Sequence, residues 1–200
     1  MNFENILSLP IDKAAFSVID VETTGLTPKF NNIIEIGIIK VKNLKIVGKY
    51  QSLINPGRDI PFFITGFTGI TNADVYDAPF FDNITDEIIE FIGDDVIVGH
   101  NLSFDNSFLK REFNLAGRTE LKNPKVCTLK ISRRIFPLLN SKSLKSVSSF
   151  LKIKNSASHR ALGDAETTAK VLIKLIKLLK KNYGFETLSD LINFQFTTAT

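Results

Sequence analysis

Apolar residues run in short extended blocks through the first quarter of the chain and recur at helical spacing through much of the rest. Ala15 to Val21 is an extended run that ends in the turn sequence Thr24-Gly25-Leu26-Thr27-Pro28. Ile33 to Val41 and Leu44 to Leu53 follow, separated by Lys42 and Asn43, and predict a hairpin. Asn55-Pro56-Gly57 breaks the sheet, and the Gly-, Thr-, Asn- and Pro-rich stretch to Pro79 predicts a long loop with short helical turns. Asp82 to Ile92 places Ile84, Ile88, Ile89 and Phe91 at a helical period, whereas Val96-Ile97-Val98 reads as a short buried strand ending at Gly99-His100. A helix from about Asp105 to Phe113, stopped by Gly117, comes next. Val126 marks another short strand, and helices are expected at Leu129 to Ile135 and Leu144 to Leu151. A long basic helix and a short one near Leu188 come last. A hairpin followed by helices alternating with buried strands predicts an α/β domain with a mixed sheet.

Composition adds limits. The 200 residues match one domain, and no internal repeat or linker divides them. Residues 1–200 are therefore read as a single domain, with a core over about 14–182 and a short C-terminal tail, 183–200. No apolar run approaches the roughly 20 residues that span a bilayer, and MNFENILSLP lacks the basic start and apolar stretch of a signal peptide. No membrane association and a cytoplasmic location are expected. The single cysteine, Cys127, fits a reducing compartment and reads as a small buried hydrophobe. A net charge of +4 and a pI near 9.1 are too mild to identify a nucleic-acid binder. Lys170, Lys174, Lys177 and Lys181, opposite Leu172, Leu175, Ile176 and Leu179, read as the solvated face of an amphipathic helix.

The acidic residues carry more. Alternate side chains of a strand share a face, so Asp20 and Glu22 point the same way while Val21 points opposite. Paired like charges destabilise a fold unless a cation or proton relieves them; a polar turn is the competing account. Asp105 opens a helix after a buried strand and a short loop, and Asp164 lies near the start of the last long helix. Each is placed equally well as a first-turn acid. His159, five residues before Asp164, falls on the loop entering that helix, and Asn155-Ser156-Ala157-Ser158 before it predicts mobility.

Three segments together resemble a known family. Val18-Ile19-Asp20-Val21-Glu22-Thr23-Thr24-Gly25-Leu26, Gly99-His100-Asn101-Leu102-Ser103-Phe104-Asp105 and His159-Arg160-Ala161-Leu162-Gly163-Asp164-Ala165 are similar, in order and spacing, to the three motifs of the DEDDh exonucleases. The likeness covers about Phe16 to Leu179 and is to members that proofread for bacterial replicative polymerases. It implies a ribonuclease H-like fold, a mixed five-stranded sheet flanked by helices. It also implies that Asp20, Glu22, Asp105 and Asp164 bind two divalent ions, Mg2+ or Mn2+, and that His159 is the general base. Phe67-Thr68-Gly69-Ile70-Thr71 resembles the family's loop along the 3′-terminal nucleotide, with Ile70 as a wedge between the last bases. The implied reaction is 3′-5′ hydrolysis of single-stranded DNA ends to nucleoside 5′-monophosphates, with a DNA polymerase among the implied partners. The same residues suit an RNA-trimming exonuclease or oligoribonuclease, and the reading from another class is a non-catalytic nucleic-acid-binding subunit. The stretch after the basic helix is shorter than a proofreading subunit's polymerase-binding tail, so a free-standing or loosely attached enzyme is expected. Cys127-Thr128-Leu129 stands where relatives often carry Asp-Thr-Leu, outside the catalytic set.

The implied chemistry suits these residue types. Two cations about 3.5–4 Å apart stabilise both the attacking and the leaving oxygen of an in-line displacement. Four carboxylates roughly balance their charge, and oxygen ligands favour magnesium or manganese over zinc. An imidazole exchanges protons near neutral pH, which suits His159 to deprotonating the attacking water. The backbone amides of Thr23 and Thr24 are candidates to hold the terminal 3′ hydroxyl. Leu26, Ile70 and Phe104 are candidates to pack on bases, against the alternative of core packing for each. His100 either shapes the same pocket or hydrogen-bonds within the fold. Glu35 reads as structural support rather than a metal ligand.

Overall fold

The strand β1 (Ala15–Thr23) is apolar on both faces, and both faces are covered. The computed structural model describes residues 6–154 and 159–196. In it β1 pairs antiparallel with β2 (Ile33–Lys42), which pairs antiparallel with β3 (Lys45–Leu53). On its other side β1 runs parallel to β4 (Val96–Gly99), and β4 parallel to β5 (Lys125–Cys127), giving the order β3-β2-β1-β4-β5. This is the expected mixed five-stranded sheet. The hairpin turn lies one residue later than the sequence suggests. Asn43 and Leu44 both adopt positive φ, 51° and 54°, the conformation that a two-residue turn between twisted strands requires. Leu44 accepts it while packing against the core.

The helices fall on the two faces of this sheet. Phe16 and Val18 of β1 share one apolar cluster with the long helix α7 (Ala161–Tyr183), whose Leu172, Leu175, Ile176 and Leu179 are fully buried. Each such side chain contributes about 1.5–3 kcal/mol by leaving water. Ile19 and Val21 face the opposite cluster, closed by α3 (Phe81–Ile92) and α4 (Ser103–Leu115). The expected loop after β3 contains two short helices, α1 (Phe62–Thr68) and α2 (Asn72–Val75). Further along are α5 (Thr128–Ile135), α6 (Leu144–Phe150) and α8 (Leu188–Phe194).

The described part of the segment expected as a short tail, residues 183–196, packs on the body of the domain. Leu188 and Leu191 are fully buried, and the Gln195 side chain accepts from Cys127 N–H at 2.9 Å and donates to the Lys125 carbonyl at 2.7 Å. Gln195 thus occupies the hydrogen-bonding groups of β5, an edge strand otherwise open to pairing with another chain.

Two features set the end of β1 apart from the rest of the sheet. Its pairing with β4 stops at Val18, so the strand continues alone on that side to Thr23. A bulge between Glu22 and Thr23 then bends it. Across the sheet, α7 begins against β2 at Gly37, where a Cβ would lie 2.3–2.5 Å from backbone atoms of Ala161 and Leu162. No side chain fits between helix and strand there. Gly37→Ala is expected to destabilise the protein by about 3 kcal/mol through overpacking, read from the urea midpoint, and to weaken any activity that depends on Asp164. A variant of unchanged midpoint would show that α7 shifts freely on the sheet.

Candidate active site

Strand alternation puts Asp20 and Glu22 on the α7 side of β1, and the first turns of α7 bring Asp164 to meet them. The three carboxylates each offer an oxygen within 4.8 Å of the others. Asp105 comes from the opposite layer. It opens α4, reaches through the gap beyond β4, and accepts the Val21 N–H at 3.2 Å, an amide that β4 no longer reaches. Asp105 is buried and lies outside the tight trio, close enough for its charge to act on both Asp20 and Glu22.

The electrostatic consequence is large. Burial, reinforced by the charges of Asp105, Glu22 and Asp164, holds the Asp20 carboxyl well above the usual carboxylate range. Burial and the neighbouring Asp164, Glu35 and Asp105 raise Glu22 to about 7. Burial likewise lifts Asp105 to about 7, against the opposing hydrogen bond from Val21. Such a site favours protons or a cation. Clustered, oxygen-only donors fit a hard divalent metal ion such as magnesium or manganese.

The entrance to α7 is fixed by a different acid. Glu35 on β2 is completely buried and accepts from Arg160 Nε at 3.1 Å, from the second guanidinium nitrogen at 2.6 Å, from Ala161 N–H at 2.8 Å and from Gln51 Nε2 at 2.8 Å. It therefore supports the site without facing the trio as a ligand. Its grip places His159 at the rim. There His159 N–H donates to Asp164 Oδ2 at 3.1 Å, and its exposed ring stacks on Phe67 of α1 with centroids 4.0 Å apart. The Asn155–Ser158 segment, for which the sequence predicts mobility, lies outside the described residues.

Comparison with known proteins agrees with this geometry. Residues 17–172 match the family model RNase_T, described as Exonuclease. The chain belongs to this exonuclease family. It is 36% identical over 169 residues to the DNA polymerase III subunit epsilon of Aquifex aeolicus, covering 84% of each chain. It is 38% identical over 176 residues to the PolC-type DNA polymerase III of Caldanaerobacter subterraneus, of whose length it spans only 12%. Among solved structures, exonuclease X in complex with 5′ overhanging duplex DNA is 28% identical with a TM-score of 0.71, over 90% of this chain and 99% of that one. The nuclease domain of 3′hExo, a DEDDh family member, superposes with a TM-score of 0.71 at 19% identity, a likeness of fold.

Several substrate contacts expected from the sequence are already committed within this exonuclease's fold. The Thr24 N–H donates to the Asn32 carbonyl at 2.9 Å and is not available to a 3′ hydroxyl. Ile70 is not a wedge: it is 2% exposed, packed with Ile34, Ile60 and Val75, because the left-handed Gly69 turns the chain inward after α1. His100 serves the fold, bonded through Nδ1 to Thr128 Oγ1 at 2.9 Å and through Nε2 to the Lys142 carbonyl at 2.8 Å. The Thr23 hydroxyl donates to the Gly25 carbonyl. Leu26 is 82% exposed, and Phe104 is half-buried against Phe108. Phe67 and Arg160 stand within segments that the sequence singles out, but the contact of Phe67 with His159 and that of Arg160 with Glu35 were not foreseen. The signal for Arg160 was a lone glutamate inside the apolar run Ile33-Ile34-Glu35-Ile36, which needs a cation somewhere.

Two outcomes follow for the exonuclease. The raised carboxyls of Asp20, Glu22 and Asp105 bind protons more tightly in the folded than in the unfolded chain. Their favourable effect is therefore complete below the ordinary carboxylate range; for Glu22 and Asp105 it is lost as pH rises through about 7, and for Asp20 it is lost well above the ordinary carboxylate range. In chelator, Tm is expected to fall by on the order of 5 °C between pH 5 and 7.5. Magnesium or manganese should restore it, and Asp20→Asn should flatten the slope; a flat profile for the native protein would contradict the electrostatic account. Arg160→Ala, which leaves the Glu35 carboxylate buried with only amide donors, is expected to cost about 2–4 kcal/mol. In a double-mutant cycle by urea unfolding, Glu35→Gln should cost less in the Arg160→Ala background than alone, whereas additive costs would show that the two residues act separately.

Proposed function

We propose that this exonuclease removes nucleotides one at a time from the 3′ ends of single-stranded DNA, releasing nucleoside 5′-monophosphates, as a proofreading or repair enzyme. The observation that carries the reading is the approach of Asp20, Glu22 and Asp164 to within 4.8 Å of one another beside buried Asp105, with His159 at the rim. Asp20, Glu22, Asp105 and Asp164 would hold two divalent ions, magnesium or manganese, which when bound supply charge stabilisation to the phosphoryl group. Similarity to a DNA polymerase III subunit epsilon and to a PolC-type polymerase supports DNA as the substrate and a polymerase as partner. No helix among the described residues is long and apolar enough to cross a membrane, which is compatible with a place beside the replication machinery in the cytoplasm.

The chain's own residues have distinct tasks. His159 accepts one proton of the attacking water, whose oxygen bonds to phosphorus as the P–O3′ bond breaks in line; the leaving O3′ takes a proton from solvent to become the 3′ hydroxyl of the shortened strand, and the nucleoside 5′-monophosphate departs. The backbone bond from His159 to Asp164 keeps this base in register with the carboxylates. Leu26, exposed, and Phe104, half-exposed, would offer apolar contact that tolerates any base.

The test is digestion of matched 5′-labelled single-stranded DNA and RNA in magnesium or manganese, with Asp20→Asn as control. The expected result is a DNA ladder shortening from the 3′ end, at least ~100-fold slower in the variant. A ladder on RNA alone would transfer the enzyme to RNA trimming. Absence of metal-dependent products from either strand would make the chain a binding subunit.

A further inference from the structure

The net charge of +4 conceals a division across the sheet. Residues 72–120, which include α3 and α4, hold 11 Asp and Glu against 3 Lys and Arg. Residues 121–184, which supply α5, α6 and α7 on the opposite face, hold 15 Lys and Arg against 2 Asp and Glu. Surfaces that serve solubility alone intersperse the two signs. In this chain the fold sorts them by layer.

The basic layer is densest on α7. At ~100° per residue, Lys170, Lys174, Lys177 and Lys181 lie within one ~60° wedge of the helix, opposite the buried Leu172, Leu175, Ile176 and Leu179. Like charges three and four residues apart oppose helix formation. Glu166 pairs with Lys170 at the start of the row, and residues 167–183 contain no acid to relieve the rest. The row joins α6 through Lys174, whose Nζ donates to the Leu151 carbonyl. The next residue, Lys152, adopts a left-handed backbone, φ 54°, at the end of α6. Its N–H donates to the Ser149 carbonyl and the Ile153 N–H to the Ser148 carbonyl, a helix ending that ordinarily carries glycine. A lysine is held there in spite of the strain. Lys145, Lys152, Lys174, Lys177 and Lys181 are all exposed, and among the described residues none of the five is ion-paired.

The position of the row indicates its occupant. Asp164 lies in the first turn of α7, and the row begins six residues on, ~9 Å along the axis, and ends ~26 Å from it. Its centre is ~110° around the helix from Asp164. The phosphates it meets therefore lie beside the carboxylate site, away from the strand end being cut. Single strands are ordinarily held by charge and aromatic stacking together. Residues 167–182 of α7 offer charge with no aromatic ring, which suits a duplex, whose bases are hidden and whose backbone carries a charge every ~1.7 Å.

We infer that Lys145, Lys152, Lys174, Lys177 and Lys181 form a docking face for the phosphate backbone of duplex DNA that adjoins a single-stranded 3′ end at the carboxylates. The inference rests on the proposed DNA substrate but not on cleavage. At 3.4 Å per base step, the row's span of ~16 Å matches about five steps of a duplex. The acidic layer of α3 and α4 repels the same duplex, so the sorted charge turns the α7 side of the molecule toward it.

The experiment is a fluorescence-anisotropy titration, in chelator and from about 0.05 to about 0.3 M salt, of a labelled sixteen-base-pair duplex with a four-nucleotide 3′ overhang. Cleavage of a single-stranded octamer in magnesium is followed beside it. Each lost phosphate contact removes about 0.9 from the slope of log affinity against log salt. The triple variant Lys152→Gln, Lys177→Gln, Lys181→Gln is therefore expected to lower the slope by about 3 and to weaken duplex binding on the order of 100-fold at about 0.1 M salt. Its octamer cleavage should match that of the native protein. Lys152→Gly, which relaxes the left-handed residue, should raise Tm by about 1–2 °C and still lower the slope by about 1. A lysine-dependent slope in a native protein that cuts no octamer would keep the docking face and remove the exonuclease reading. An unchanged slope, a parallel loss of octamer cleavage, or no duplex binding by the native protein would overturn the docking face. The first and last of these would leave the row free for an acidic protein partner.

Discussion

The repulsion among Asp20, Glu22 and Asp164 is the constraint around which the rest is arranged. Three carboxylates within 4.8 Å of one another oppose folding when ionised, and burial removes the water that would screen them. Asp20 and Glu22 cannot separate because strand geometry fixes their spacing. Relief would come most easily by letting α7 slide away with Asp164. The close approach at Gly37, the buried apolar stripe of α7 and the Glu35 anchor oppose that escape. The long helix is thus a spring held closed at its N-terminal end.

The partners of the buried acids decide their roles. Glu35 receives two guanidinium nitrogens, a backbone amide and a side-chain amide, so its lone pairs are spent and its charge is compensated by the protein. Among the described residues, no comparable donor set meets Asp20 or Glu22. The contrast arises within one neighbourhood, because Glu22 and Glu35 are paired across β1 and β2. One glutamate of this pair is a structural bolt, and the other keeps its oxygens in a cluster that could hold a cation.

Features encoded by local spacing were legible in the sequence, and those encoded by long-range pairing were not. Val18 to Glu22 shows a strand with two carboxylates on one face because alternation is a property of the backbone itself. The five strands and the main helices follow from similar short patterns, with ends displaced by one or two residues. Glu35 was recognisable as support, yet its partner Arg160 stands 125 residues away, and nothing local ties the two. Ile70 misled because a motif gives a residue's type and place without the direction of its side chain, and the turn at Gly69 sends it into the core. The exposed phenylalanines of α1 were hidden for the opposite reason: aromatic residues in a short loop helix normally close a core.

A further coupling joins His159 to the carboxylates. His159 adopts a left-handed backbone, φ 63°, which costs a non-glycine residue roughly 1 kcal/mol. Two contacts offset that cost, the ring stack on Phe67 and the N–H donated to Asp164 Oδ2. The second is strongest when Asp164 is ionised, since a charged acceptor roughly doubles a hydrogen bond. Conditions that stabilise the ionised trio therefore also hold the histidine at the rim, and conditions that protonate the trio loosen it. Asp164 and the proposed base, His159, are thereby brought into place by one hydrogen bond at the entrance to α7.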